Sequence, residues 1–363
     1  MHTIVEGICH LPEIIREYGN RKLFLVAGSS YKRLAIKSVV DSLDVSGIVE
    51  FSDFTPNPRY EEVCKGAELF LSSGCNMILA IGGGSAIDVA KCIKLAVLAP
   101  QGCEAVIPPY VSERISIDGA AIPFIAIPTT AGTGSESTHN AVMYYNGVKQ
   151  TVANDDLLPD YAVLEHSSLK SLPLYQKKCT MLDALCQGIE AWWSVNSTDE
   201  SKEYSRKCVG LIAENWRKYM SDCDDEVARL IMLAANYSGR AINIARTTAP
   251  HAMSYKMTSL YGIPHGHAVA LSLPHVWSYM SGKDYLDQTL ADIASALGAE
   301  TSAEGIQYIN DMLAEMEIQS PVSSDRESDL SILTESVNID RLKNNPVLLD
   351  KESIYTLYGR IIK

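Results

Sequence analysis

The sequence predicts an α/β N-terminal domain with a parallel, Rossmann-like sheet over residues 1–170, followed by an all-α domain over residues 171–363. Three observations predict it. Short apolar runs alternate with amphipathic segments through the first half. Two of those runs lead directly into glycine-rich turns. From about Ser171-Leu-Pro173 onward the apolar periodicity is that of long helices. A chain of 363 residues is too long for one ordinary core and fits two.

Taken in order, Leu23–Ala27, Gly47–Phe51, Met77–Ile81 and Pro123–Ile127 read as buried strands, because each is a short, nearly continuous apolar run. Asn57-Pro58 signals a helix start, and Val63, Ala67, Phe70 and Leu71 then recur at i, i+4, i+7 and i+8. Strand, helix and strand in repetition mean a parallel sheet covered by helices, with ligands bound beyond the carboxyl ends of its strands. Helical periodicity then runs over 174–195, 199–220, 224–245 and about 250–260, and Gly262-Ile-Pro264 breaks the last of these just before His265.

Hydrophobic residues at 47% against 21% charged exclude a disordered chain. A net charge of −13 excludes nucleic acid and anionic membrane as partners, so any anionic ligand must be held by local features. Nine cysteines without a CxxC pair read as reduced thiols. The N-terminus lacks the basic start and apolar run of a signal peptide, and no apolar stretch is long enough to span a bilayer; a soluble, cytoplasmic protein is expected.

Gly82-Gly-Gly-Ser85 follows the third strand and opens a helix carrying Ile87, Asp88 and Lys91. Glycines Gly82, Gly83 and Gly84 let backbone N–H groups approach a pyrophosphate, and the helix N-terminus adds partial positive charge. The plainer reading is a tight strand-to-helix turn. A second turn, Pro128–Glu136, follows the fourth strand and offers the hydroxyls of Thr129, Thr130 and Ser135 to phosphate, ribose or amide; Glu136 reads as a helix-terminus residue.

Asp183 and Gln187 stand four apart on a predicted helix and so share a face. With His251 and His265 they would complete a two-imidazole, one-carboxylate set suited to Fe(II) or Zn(II), Gln187 standing where a third imidazole would be welcome. Arg240, Asn243, Arg246, Thr247, Thr248 and Lys256 cluster in sequence around His251. A guanidinium there fits phosphonate, phosphate or carboxylate bidentately; alternatively Arg240 and Lys256 pair with acids such as Glu190 or Asp199. His267, Tyr255 or water would return a proton, and His267 reads equally well as structural. His139, His166 and His275 read as packing or surface residues.

Together IGGGSAIDVAK (81–91), IPTTAGTGSE (127–136), DALCQGIEA (183–191) and HAMSYKMTSLYGIPHG (251–266), followed by AVALSLPHV (268–276), resemble the iron-containing (type III) alcohol dehydrogenase family, whose fold is shared with glycerol dehydrogenase and dehydroquinate synthase. The resemblance covers nearly the whole chain. It implies an NAD(P)-binding first domain, a helical metal-binding second domain and a homodimer. Carried over by motif, the metal ligands fall on Asp183, Gln187, His251 and His265. The coenzyme contacts fall on Gly28, Ser29, Ser30, Gly82, Gly83, Gly84, Ser85, Asp88, Thr129, Thr130, Ser135 and Lys149.

Two departures from that family stand out. Gln187 replaces a histidine ligand, although some relatives manage with three protein ligands and others with no metal. Ala27–Arg33 lacks the acidic residue by which NAD-preferring members hold the ribose, which favours NADP over NAD, with Lys32 and Arg33 otherwise simply facing solvent. Residues 192–200 together with 246–256 are most similar to the phosphonoacetaldehyde reductases of the family. This implies reduction of phosphonoacetaldehyde to 2-hydroxyethylphosphonate in phosphonate biosynthesis, with Asp183, His251, His265, His267 and Arg246 catalytic and Arg246, Thr247 and Lys256 holding the anionic substrate. The rival expectations are a general alcohol or polyol dehydrogenase acting on uncharged substrates and a cofactor-binding protein without catalysis.

Overall fold

The computed structural model describes residues 2–107 and 121–363. The chain divides after Ser171 into two compact units. In the first lie β1 (Thr3–Glu6), α1 (Leu11–Glu17), β2 (Lys22–Ala27), α2 (Ile36–Asp41), β3 (Gly47–Phe51), α3 (Tyr60–Ser73), β4 (Met77–Gly82), α4 (Gly84–Leu98), β5 (Phe124–Pro128), β6 (Asn140–Tyr145), β7 (Val148–Ala153), β8 (Tyr161–Leu164) and α5 (Ser167–Lys170).

Six strands form one parallel sheet in the order β1-β8-β5-β4-β2-β3. The apolar runs are continuous because both faces are covered. Phe24, Ile78 and Phe124 pack with Val63, Phe70, Ile87 and Ile93 of α3 and α4 on one face. Leu23, Leu25, Met77, Leu79 and Ile125 pack with Leu11, Ile15, Ile36 and Val40 of α1 and α2 on the other. Register pairs Ala27 with Ile81 and Gly82 with Pro128, so β2, β4 and β5 end side by side and bring both glycine-rich turns to one edge of the sheet.

Two features add to the expected sheet. The short strands β1 and β8 extend it by two, and β6 and β7 form a separate antiparallel hairpin. Its turn is Asn146-Gly147, both with positive φ (50° and 75°) as a tight two-residue turn demands.

The second unit is helical: α6 (Leu174–Trp193), α7 (Asp199–Ser221), α8 (Asp225–Ala245), α9 (Ala249–Tyr261), α10 (His265–Met280), α11 (Asp284–Ala296), α12 (Ser302–Glu315), α13 (Arg326–Ser336), α14 (Ile339–Leu342) and α15 (Lys351–Ile361). Pro250 sits in the first turn of α9, and Gly262, with φ 66°, ends it. Pro264 then starts α10, which makes His265 its first residue. Among the described residues, no helix is long and apolar enough to cross a membrane.

Candidate metal centre and coenzyme turns

Asp183, Gln187 and Glu190 recur at i, i+4 and i+7 along α6 and share one buried face. α9 brings His251 to that face and α10 brings His265. Asp183 Oδ1 lies 3.4 Å from His251 Nε2 and 3.8 Å from His265 Nε2. One ligand atom from each of the three residues lies within 4.8 Å of the others, the one such grouping of His, Cys, Asp and Glu among the described residues.

Glu190 was not among the expected site residues, yet it organises the cluster. Fully buried, it holds His251 Nδ1 with one carboxylate oxygen. The other oxygen accepts the Thr248 N–H (3.2 Å), the Thr248 hydroxyl (3.0 Å) and the His251 N–H (3.2 Å). It thus caps the N-terminus of α9 from a neighbouring helix, where a carboxylate also meets the positive end of the helix dipole.

The residues fit a divalent cation. With Nδ1 committed to Glu190, the Nε2 of His251 turns toward Asp183, buried and without a hydrogen-bond partner. A buried nitrogen left so beside a carboxylate and a second imidazole is what a metal ligand with a supporting carboxylate looks like. Burial lowers the His251 pKa, but Glu190 and Asp183 outweigh it and raise it to about 9. A proton there stands in the position a cation would take.

Gly266 permits this closure. A Cβ on it would lie 1.9 Å from the Cys179 carbonyl oxygen and 2.9 Å from Asp183 Cβ, so α10 approaches α6 this closely through a glycine beside His265.

Gln187, expected as a fourth ligand, is held by two neighbours. Its oxygen accepts the Ser238 hydroxyl at 2.9 Å, and its nitrogen points to Asp183 Oδ2 at 3.4 Å. The amide steadies the carboxylate and presents a donor to it. His267, expected as a catalytic proton carrier, has both ring nitrogens engaged, by the Tyr175 hydroxyl and the Gln319 carbonyl, each at 2.8 Å. These two contacts tie the ring to α6 and to the segment after α12.

The basic residues separate. Arg240 lies over the Tyr204 ring, 4.0 Å from its centroid, and bonds its hydroxyl, so it pairs with an aromatic residue and with neither Glu190 nor Asp199. Lys256 follows His251 by five positions and is set about 140° round α9 from it, off the cluster's face. The Thr247 carbonyl accepts from Asn344 at 3.2 Å. Arg246 is exposed at the end of α8, with φ 61° and ψ 169°, a backbone region essentially reserved for glycine.

In the first unit the two glycine-rich turns interlock. Thr129 N–H bonds the Gly82 carbonyl at 2.9 Å. A Cβ on Gly83 would meet Thr130 Oγ1 at 3.2 Å, and one on Gly84 would meet Thr133 Oγ1 at 2.7 Å. Gly28 N–H reaches the Ile81 carbonyl at 3.3 Å, and Ser29 and Ser30 are exposed just beyond. Lys32 meets Glu50 at 3.6 Å in an exposed pair.

Asp88 and Ser135, expected as coenzyme contacts, bond each other and the start of the β6–β7 hairpin. Ser135 donates to Asp88 at 2.5 Å, and Val142 N–H donates to it at 3.0 Å. Burial raises the Asp88 carboxyl against the pull of Lys91, Ser135, the Val142 N–H and Lys149 of β7. The Ser85 hydroxyl is likewise taken, by the Pro56 carbonyl. Lys91, fully buried, donates to the carbonyls of Ser135 (2.6 Å), Thr138 (2.6 Å) and Asn140 (2.8 Å).

Residues 5–166 match the family described as iron-containing alcohol dehydrogenase, and residues 178–362 its C-terminal, Fe-containing alcohol dehydrogenase part. The chain belongs to the iron-containing alcohol dehydrogenase family. It is 31% identical over 341 residues to phosphonoacetaldehyde reductase of Streptomyces viridochromogenes, covering 87% of this chain and 83% of that protein. It is 32% identical over 308 residues to the probable alcohol dehydrogenase EutG of Escherichia coli, covering 83% and 76%. The crystal structure of sulfoacetaldehyde reductase from Bifidobacterium kashiwanohense in complex with NAD+ superposes with a TM-score of 0.90 at 25% identity, over 99% of this chain and 96% of that one. As an iron-containing alcohol dehydrogenase, the protein is an NAD(P)-dependent alcohol dehydrogenase or aldehyde reductase acting on small molecules.

Proposed function

We propose that this iron-type alcohol dehydrogenase reduces a short aldehyde bearing an anionic group, phosphonoacetaldehyde fitting best, to the primary alcohol, 2-hydroxyethylphosphonate. In this reading Asp183, His251 and His265 hold a divalent metal. Bound there, Fe(II) or Zn(II) supplies Lewis acidity toward a carbonyl oxygen, and NAD(P)H at the glycine-rich turns supplies the hydride. Glu190 fixes the His251 tautomer that leaves Nε2 for the metal. Arg246 holds the anion bidentately and so orients the carbonyl.

Arg246 is the observation that carries the substrate reading. It is exposed on the short connection between α8 and α9, five residues before His251, in a backbone conformation costing about 1–3 kcal/mol for a non-glycine residue. An arginine where glycine would relax the chain points to a task for its side chain. Two relatives named above act on two-carbon aldehydes carrying a phosphonate or a sulfonate, which supports the same reading.

The test is kcat/KM for phosphonoacetaldehyde against an uncharged aldehyde of similar length. A preference below about tenfold, or about 1.4 kcal/mol of transition-state binding, would sink the anionic-substrate reading. It would favour the second reading, a broad alcohol dehydrogenase, which the equal likeness to EutG supports.

A further inference from the structure

His251 and His265 are held differently. The His251 side chain is 4% exposed and clamped by Glu190, whereas the His265 side chain is 34% exposed at the first position of α10. The Nδ1 of His265 meets the Ser254 hydroxyl at 3.2 Å. A ring at a helix start, partly in solvent, needs a second constraint on its plane if Nε2 is to stay aimed at Asp183.

Tyr255 supplies a surface for that constraint. It follows His251 by one turn of α9, on the same face, and its ring lies parallel to that of His265, with centroids 5.6 Å apart and planes within 7°. Tyr255 is itself fixed from outside the α9–α10 pair. Arg341 of α14 donates to its hydroxyl at 2.8 Å, and the guanidinium lies 5.0 Å from the ring centroid. The chain from Arg341 through Tyr255 to His265 thus runs from a short C-terminal helix, 86 residues beyond Tyr255, to a candidate metal ligand.

We propose that Tyr255 and Arg341 are positioning residues of the metal centre, a brace that sets the ring plane of His265 and thereby the affinity for the ion. This rests on the metal reading given above. The cost of releasing the brace is that of losing an outer partner of a metal ligand, about 10–100-fold in affinity.

Electrostatics makes the test discriminating. A guanidinium near a divalent cation repels it, so neutralising Arg341 should tighten metal binding if charge alone mattered. The brace requires the opposite. Metal-free protein, its variants Arg341→Gln, Tyr255→Leu and Tyr255→Phe, and Co(II) as the probe decide the matter, with affinity read by chelator competition and site geometry by visible absorption. Arg341→Gln and Tyr255→Leu are expected to weaken Co(II) binding about tenfold or more and to alter its spectrum, with the melting temperature of metal-free Arg341→Gln unmoved. Tyr255→Phe, which keeps the stack, is expected to lose less than Tyr255→Leu.

Co(II) binding in folded Arg341→Gln that is unchanged or tighter overturns the proposal. So does a loss of affinity matched by an equal loss of metal-free stability, which would make the contact merely structural. Arg341→Gln touches only the outer end of the brace, so it carries the test if Tyr255→Leu fails to fold. Wild-type protein that binds no Co(II) would sink the metal reading itself and this one with it. Wild-type binding with undiminished Arg341→Gln binding would sink only the brace.

Discussion

Glu190 accepts the Nδ1 edge of His251 and, through its other oxygen, the backbone N–H groups that open α9. One buried carboxylate therefore sets both the tautomer of a candidate ligand and the start of the helix that carries it. Glu190→Gln keeps an acceptor but weakens the bias toward a metal-ready Nε2, and Zn(II) affinity should fall about 10–100-fold. Glu190→Ala should also destabilise the fold by about 3 kcal/mol, because three donors and a buried imidazole lose their partner. Metal titration and thermal melts of the two variants check this; wild-type Zn(II) affinity in Glu190→Gln would refute the assignment.

The same pair predicts a pH dependence. In the metal-free fold the His251 pKa is raised from 6.5 to about 9. The stability it contributes is therefore fully present below pH 6.5 and is lost as pH rises through about 9. Metal binding must displace that proton, so Zn(II) affinity should climb about tenfold per pH unit up to about pH 9, with release of one proton. Calorimetry in buffers of different ionisation enthalpy measures the proton, and a flat affinity between pH 7 and 8.5 would contradict it.

Gly266→Ala places a methyl group 1.9 Å from the Cys179 carbonyl oxygen and forces α10 away from α6. The expected cost is about 2–3 kcal/mol of stability, together with loss of metal binding, since His265 moves with the helix. A variant that melts like the wild type and retains Zn(II) would show that the contact yields more easily than this geometry implies.

Arg246→Gly should have opposite effects on stability and activity. Relief of the backbone at φ 61° should raise stability by about 1–2 kcal/mol. Removal of the guanidinium should lower kcat/KM for phosphonoacetaldehyde at least tenfold, about 1.4 kcal/mol, with little change for an uncharged aldehyde. Equal losses on both substrates would assign Arg246 to the fold.

Coenzyme preference is expected to favour NADPH. The end of β2 presents the exposed hydroxyls of Ser29 and Ser30 with no carboxylate among residues 27–33, and the Lys32–Glu50 pair is exposed and weak enough to leave the cation available. Ser29→Asp should reverse the order of kcat/KM for the two coenzymes. Wild-type protein that already prefers NADH would remove the argument.

The parts legible in the sequence are those with strong periodicity. β2, β4 and β5 are continuous apolar runs because both faces are buried, and α6 to α9 carry long helical patterns ended by recognisable breaks. The four-residue strands β1 and β8 are too short to show a period. The β6–β7 hairpin carries a local signal, Asn146-Gly147 between apolar stretches, that the sequence analysis above does not use. Glu190 was also within reach: it completes the i, i+4, i+7 face with Asp183 and Gln187 but reads in isolation as a solvated acid. The orientation of the Gln187 amide, the occupied nitrogens of His267 and the Tyr255–Arg341 contact depend on tertiary neighbours that local sequence does not encode.

The Lys91 ammonium, enclosed by the carbonyls of Ser135, Thr138 and Asn140, has a bearing on redesign. It rivets the second glycine-rich turn to the helix that springs from the first, while Thr130 and Thr133 fill the space that Gly83 and Gly84 leave empty. The two turns are one machined part, and neither can be exchanged alone for the equivalent of another dehydrogenase. An engineer seeking a new coenzyme should leave that block untouched and work at the open rim beyond Gly28, where Ser29 and Ser30 are exposed.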